Sequence, residues 1–341
     1  MYKLLGVLMA SFAFTGVLAI PFIGLLYKIK FRYRLARSTK REGARLSDLH
    51  KDKAGTPTGG GILIVTAAIL FALLFYLVTK FQINWTAVVL FVTMVLFAGL
   101  GLLDDARKMI RIRGRRIRAL PRLPKLILQI TCGLVVAFLL YDKLGLHTLT
   151  VPLFSQVFDL APLDLGVLYI PFAAFVVISS SNAFNITDGL DGLATGLLLI
   201  ALSAFWVLAG NSVFAGDVTL FIAVIMGSLL AFLYFNIFPA RLFMGDTGSL
   251  ALGAMLAVLA LVVDQVLVLP IIGGMFVIEL LSSFLQIASK RLRDGKRLFD
   301  IAPLHFHFQA RGWDETKVTM RFWLFGAMLA FLGIFISIFG K

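Results

Sequence analysis

The sequence predicts an all-α membrane protein, a polytopic bundle of about ten transmembrane helices, and three observations predict it. Of its 341 residues 60% are hydrophobic and 15% charged, against about 45–50% and 25% in soluble domains. The mean hydropathy is +0.96. The apolar residues are gathered into runs of about 20, the length that crosses a bilayer. This pattern excludes a soluble enzyme, a disordered chain and a small disulfide scaffold. The single cysteine, Cys132, lies inside an apolar run and permits no intramolecular disulfide.

The first run, Leu4 to Tyr27, ends in the basic stretch Lys28 to Arg32. It is too long for the core of a signal peptide and reads as a retained span. Further spans are expected over 59–79, 84–103, 125–142, 167–186, 190–210, 217–237, 249–264, 267–289 and 321–340. Backbone groups in lipid must bond within their own segment, so each span is a helix. Thr56-Pro57-Thr58 and Gly59-Gly60-Gly61 open the second, as a phosphate-binding nest or a tight turn into the helix. The seventh and eighth are parted only by a short break holding Asn236, Pro239 and Arg241. Between the fourth and fifth, Pro152 and Pro162 with alternating Val151, Leu153, Phe154 and Val157 give the pattern of a short periplasmic hairpin. No repeat, heptad or low-complexity tract divides the chain. A single integral membrane catalytic domain over 1–341 is expected.

The net charge is +14, and 28 of the 32 basic residues fall in 28–58, 104–125, 238–248 and 290–321. Lys and Arg accumulate in cytoplasmic loops, which places both termini outside and these connections in the cytoplasm. Orientation accounts for the basic excess, so no nucleic acid partner is expected. Twelve of the 18 acidic residues lie on the same side. The orientation rule does not explain them.

Five groups of residues are candidates for chemistry. Asp104-Asp105 closes the third span, with Lys108 one helical turn beyond. Adjacent carboxylates repel and need a metal, cations or a shared proton, and acids at a helix C-terminus oppose the macrodipole. Asp188 and Asp191, beside Asn185 and Thr187, would share one face if the sixth helix began at 188; capping is the plainer reading. Asp246, in Gly245-Asp246-Thr247-Gly248-Ser249, opens the eighth helix. There free N–H groups suit a phosphate, and the carboxylate suits Mg²⁺. His305 and His307 are a weak zinc pattern and fit a diphosphate site better. Within the ninth span, Glu279 and Gln286 share a face; an intramembrane carboxylate is either functional or a buried hydrogen-bonding group.

Acids, lysines and glycine turns thus meet on the inside face, where a soluble diphosphate and a lipid phosphate both reach. That combination points to Mg²⁺-assisted phosphoryl or phosphosugar transfer. An ion-coupled transporter is the rival, but transporter sites lie near the midplane between related halves.

The stretches Thr56 to Gly60, Asp104-Asp105 with Lys108, Asn182 to Gly192, Asn236 to Ser249, and Ala302-Pro303-Leu304-His305 with Gly312-Trp313 and Arg321-Phe322-Trp323 resemble the polyprenyl-phosphate N-acetylhexosamine-1-phosphate transferases. Within them the histidine segment with Gly-Trp is most similar to the muramoyl-pentapeptide branch rather than the N-acetylglucosamine branch. The resemblance covers nearly the whole chain. It implies a bacterial inner-membrane enzyme with a cytoplasmic active site, Mg²⁺, UDP-MurNAc-pentapeptide and undecaprenyl phosphate as substrates, and lipid I and UMP as products. A homodimer is an option. By motif position, Asp246 would hold the metal, and Asp104 would act at the lipid phosphate with Asp105 in support. Lys108, Lys125, Asn185, Asp188, Asp191, Asn236, Phe243, Ser249, Gln286, His305 and His307 would shape the nucleotide-sugar site, with His305 counted among the catalytic residues. One departure stands out. The family's usual Leu-His-His-His-Phe-Glu is here Leu304-His305-Phe306-His307-Phe308-Gln309, and Phe306 cannot hydrogen-bond. Direct attack by the lipid phosphate and an aspartyl-phosphate intermediate both remain open.

Overall fold

Each apolar run becomes a long helix. In the computed structural model these are α1 (Tyr2–Lys28), α2 (Gly60–Thr79), α3 (Trp85–Met109), α4 (Arg122–Leu144), α5 (Tyr169–Thr187), α6 (Leu193–Ala209), α7 (Ala215–Asn236) and α8 (Asp246–Val262). A short α9 (Leu269–Ile272), α10 (Gly274–Leu292), a short α11 (Leu304–Ala310) and α12 (Glu315–Ile338) follow. The structure describes residues 2–32, 51–80, 82–109, 111–112, 115–116, 120–152, 161–210 and 212–339. Seven helices are long and apolar enough to cross a membrane, and α6 and α8 are shorter apolar helices. The protein is a polytopic α-helical membrane protein. Exposed apolar side chains such as Ile127 and Phe138 on α4 and Leu324 and Phe331 on α12 form its outer surface.

Several boundaries differ from the sequence expectation, the last helix among them in beginning at Glu315 rather than 321, and three differ for a local reason. Helix α3 runs six residues past 103, to Met109, because Asp104 and Lys108 pair at i, i+4 along its last turns. Helix α6 begins at Leu193, since Gly192 adopts a left-handed φ of 73° and closes a turn over 188–192. Asp188 and Asp191 therefore do not share a helical face. The ninth span is broken at Gly273 into α9 and α10.

Helix α8 is the centre of the bundle. Every residue from Thr247 to Val262 is buried, and it packs between α3 and α5. Between apolar helices in lipid the driving force is close packing rather than water exclusion, which selects small residues at contacts. A Cβ on Gly61 would lie 2.0 Å from the Gly248 nitrogen, and one on Gly101 would lie 2.2 Å from the Asp246 carbonyl oxygen. These two glycines let α2 and α3 touch the first turn of α8. On the opposite end, β3 (Thr148–Leu149) pairs antiparallel with β4 (Leu163–Asp164). The Thr150 hydroxyl donates to Asp264 just beyond α8. This is the base of the expected hairpin; Leu153, Phe154 and Val157 lie outside the described residues. A second two-residue ladder joins Arg111–Ile112 (β1) to Arg115–Arg116 (β2).

Candidate active site

A cavity of about 640 Å³ opens where α1, α3, α5, α7 and α10 end and α2, α4, α6, α8 and α12 begin. That alternation puts all five motif segments at one end of the bundle. Asp105, Lys108, Asn185, Asp188, Asp191, Asn236, Phe243 and Asp246 line it, together with Lys53, Arg32 and Phe306.

The charged cluster is built across three helix ends. Lys108 on α3 reaches Asp104 Oδ2 at 3.2 Å, Asp105 Oδ1 at 3.4 Å and Asp246 Oδ1 at 3.1 Å. Lys125, in the first turn of α4, reaches Asp104 Oδ2 at 3.2 Å and Asp246 Oδ2 at 2.7 Å. The Leu120 N–H donates to Asp104 Oδ1 at 2.7 Å. Three carboxylates are thus held together by two ammonium groups. Asp105 also accepts the N–H groups of Asp246 (3.2 Å) and Thr247 (3.0 Å) and the Thr247 hydroxyl (2.9 Å). It caps α8 from another helix, because the residue at the cap position, Gly245, has no side chain to do so. The free N–H groups expected to receive a phosphate are therefore spent on Asp105.

The glycine segment also proves to be structural. The Gly59 and Gly60 N–H groups donate to the Phe243 carbonyl at 3.0 and 2.8 Å, and Gly61 donates to Met244 at 2.8 Å. It is a tight turn rather than a nest, and it fixes Phe243 at the cavity wall.

Asp188 differs from its neighbours. Its carboxylate lines the cavity and finds no hydrogen-bond partner among the described residues. Burial, then the nearby carboxylates of Asp246 and Asp105, push its pKa up to about 7. Asn185 donates to Ser249 Oγ at 2.6 Å, so the buried Ser249 orients Asn185 without lining the cavity itself. Asn236 is a joint: its Oδ1 accepts the Gly192 N–H and the Thr195 hydroxyl, both at 3.1 Å, and its Nδ2 donates to the Leu242 carbonyl at 3.0 Å.

The two histidines diverge. They lie on α11 rather than in a loop, and a spacing of i, i+2 on a helix points to different sides. His305 is fully buried, its Nδ1 2.9 Å from Glu279 Oε2, and its N–H donates to Glu279 Oε1 at 3.1 Å. That gives Glu279 the hydrogen-bonding role of the two open to it. His305 Nε2 abuts Gly189, where a Cβ would come within 2.3 Å. His307 faces away, accepting the Asp300 N–H at 3.2 Å. Burial, then Arg311, lower its pKa, against the raising effect of Asp300. Gln286 accepts the Leu298 and Phe299 N–H groups at 3.0 Å and donates to the Phe299 carbonyl at 2.9 Å. His307 and Gln286 shape the loop beside the cavity and are not part of its lining.

Sequence reasoning missed Lys53 and Glu315. Lys53 lines the cavity, and its ammonium bonds Asp191 Oδ1 at 2.6 Å and also Glu315. Its position in a basic stretch reads as a topology signal, and Glu315 reads as one more acid of the cytoplasmic connection before the last span. Only the fold brings them together.

A sequence profile of glycosyl transferase family 4 matches residues 87–264. The phospho-N-acetylmuramoyl-pentapeptide-transferase of Thermodesulfovibrio yellowstonii is 39% identical over 96% of this chain and 90% of its own length. The chain belongs to this family. The corresponding transferases of Rickettsia felis (38% identical, covering 95% of this chain and 91% of that one) and Methylacidiphilum infernorum (37%, 98% and 92%) are similar to the same extent. Membership makes the protein a transferase, and the family profile includes Asp104, Asp105, Lys108, Lys125, Asp188 and Asp246.

The donor set suits a hard divalent cation. It is all oxygen, with Asp246 and the uncommitted Asp188 lining the same cavity. Among the described residues no group of three or more His, Cys, Asp or Glu is arranged to hold a metal unaided. An ion there must complete its shell with water or substrate phosphate oxygens, which is the habit of Mg²⁺.

Proposed function

We propose that the protein transfers phospho-MurNAc-pentapeptide from UDP-MurNAc-pentapeptide to undecaprenyl phosphate, giving lipid I and UMP at the cytoplasmic face of the bacterial inner membrane. The observation that carries this reading is the cluster of Asp104, Asp105 and Asp246 with Lys108 and Lys125, of which Asp105, Lys108 and Asp246 line a cavity at one end of an apolar bundle while Asp104 and Lys125 stand behind them. The names of the relatives support the muramoyl-pentapeptide substrate over the N-acetylglucosamine alternative.

Both reactants are anions, so positive charge must offset their repulsion. Lys108 and Lys125 supply it at the rim shared with Asp246. An oxygen of the lipid phosphate attacks the β-phosphorus of the sugar nucleotide. The bond from that phosphorus to the bridging oxygen breaks, and UMP leaves with the electron pair. The lipid phosphate is largely ionised at neutral pH, so Asp104 orients the nucleophile through Lys125 rather than serving as a strong base. Asp246, with Asp188 facing the same space, is the place for Mg²⁺, which would add charge neutralisation at the phosphates.

Purified protein in detergent, given undecaprenyl phosphate and Mg²⁺, tests the reading. UMP should appear with UDP-MurNAc-pentapeptide, depend on the lipid, and be far slower with UDP-GlcNAc. Equal or faster release with UDP-GlcNAc would move the protein to the other branch.

A further inference from the structure

We infer that Glu315 is a positioning residue for nucleotide binding, acting through Lys53. This rests on the phosphosugar-transfer reading of the cavity. Lys53 stands in the turn Lys51–Lys53, far in sequence from the carboxylates it meets. Its ammonium is bonded by two of them, Asp191 at 2.6 Å and Glu315. The side chains of Lys53, Asp191 and Glu315 are only 11%, 4% and 7% exposed, so these pairs are not the weak surface kind.

The geometry assigns the carboxylates separate work. Asp191 spends its second oxygen on the Ala240 N–H at 2.9 Å. Glu315 accepts the Asp191 N–H at 2.7 Å with the same oxygen that meets Lys53, and its other oxygen is 3.4 Å from Gln309 Nε2. Glu315 therefore ties three segments together: the lysine turn, the 188–192 turn and the histidine helix α11. The ammonium is left at the cavity surface, 5.9 Å from the centre of the Phe243 ring that forms the same wall. An ammonium has three donors. Two are held by carboxylates, which leaves the third for a nucleoside diphosphate bound in the cavity that Lys53 lines. A flexible lysine is costly to immobilise. Glu315 meets that cost within the fold, before the ligand arrives.

The test is a double-mutant cycle read by UDP binding, measured by calorimetry in detergent, with melting temperatures recorded for each variant. Glu315→Gln keeps the size and the acceptor for the Asp191 N–H but removes the charge. It should weaken UDP binding about tenfold, the loss expected for one charge-assisted hydrogen bond. Lys53→Met should weaken it at least as much. The double variant should bind no worse than Lys53→Met alone, because Glu315 acts only through that lysine. Glu315→Asp should restore part of the affinity. Additive losses, or a Glu315→Gln variant that melts lower but binds UDP normally, would reduce Glu315 to a structural brace and overturn the inference. Should the wild type bind UDP yet never release UMP from a sugar nucleotide, the transfer reading would fail while the cycle still decides the role of Glu315. Wild type that binds no UDP would overturn both.

Discussion

The carboxylate of Asp105 accepts the backbone N–H of Asp246 at 3.2 Å, so the two acidic motifs that look equivalent in sequence are unequal in the fold. Asp105 holds the first turn of α8 in place, and α8 is the buried axis of the bundle. Asp246 turns its own carboxylate toward the cavity and both lysines.

This difference predicts opposite phenotypes. Asp105→Ala removes the acceptor for two N–H groups and a hydroxyl, and should cost about 1–2 kcal/mol of stability, as a lost helix cap does. Asp105→Asn, which still offers one oxygen, should recover much of it. Melting temperatures in detergent would show this order; equal melting of all three proteins would remove Asp105 from the capping role.

Asp246→Asn should melt close to wild type and lose activity by orders of magnitude, with added Mg²⁺ failing to restore it fully. Chelation of divalent ions should silence the wild type reversibly. A variant with near-normal turnover would take Asp246 out of the chemistry.

Asp188 gives a pH dependence of defined sign. Its pKa rises from 3.8 to about 7 in the fold, so the folded state holds the proton where the unfolded chain has released it. Stability should therefore fall as pH rises between about 4 and about 7, and then level off. Asp188→Asn cannot titrate and should gain stability relative to wild type at pH 8 but not at pH 4. Metal-free protein melted at both pH values checks this. An advantage of the same size at both would contradict the assignment.

How much of this was legible beforehand depended on the kind of interaction. Apolar runs of bilayer length announce helices, and seven helices among the described residues are long and apolar enough to cross, with two shorter apolar ones beside them. The motif acids Asp104, Asp105, Asp188 and Asp246 converge because every second helix end lies on one side. Roles that depend on a partner elsewhere in the chain were not legible. Nothing near Asp105 in sequence says that it caps a helix about 140 residues away. Glu279 could be read as functional or structural until His305 was seen against it. The short helix α11 hid in a stretch that read as a loop, and with it the divergence of His305 and His307. Lys53 was lost among basic residues whose common explanation is orientation.

Orientation itself is open to a direct check. The distribution of basic residues predicts Arg115 and Lys296 in the cytoplasm and Lys143 outside. Single cysteines at these positions, in a Cys132→Ala background, should react with an impermeant reagent in intact cells only at 143. Labelling at 115 but not at 143 would invert the topology and put the cavity on the wrong side for a cytoplasmic nucleotide.

The central claim is that a phosphosugar moves from nucleotide to lipid at this cavity. Following ³²P in the β-phosphate of UDP-MurNAc-pentapeptide tests it most directly. With undecaprenyl phosphate and Mg²⁺ the label should pass into the solvent-extractable lipid, mole for mole with UMP, and Asp246→Asn should abolish the transfer. Without lipid the label should stay on the nucleotide, as direct attack requires. Label on the denatured protein would replace direct attack with an aspartyl-phosphate route. Label that never enters the lipid, with wild type folded and all reactants present, would contradict the account.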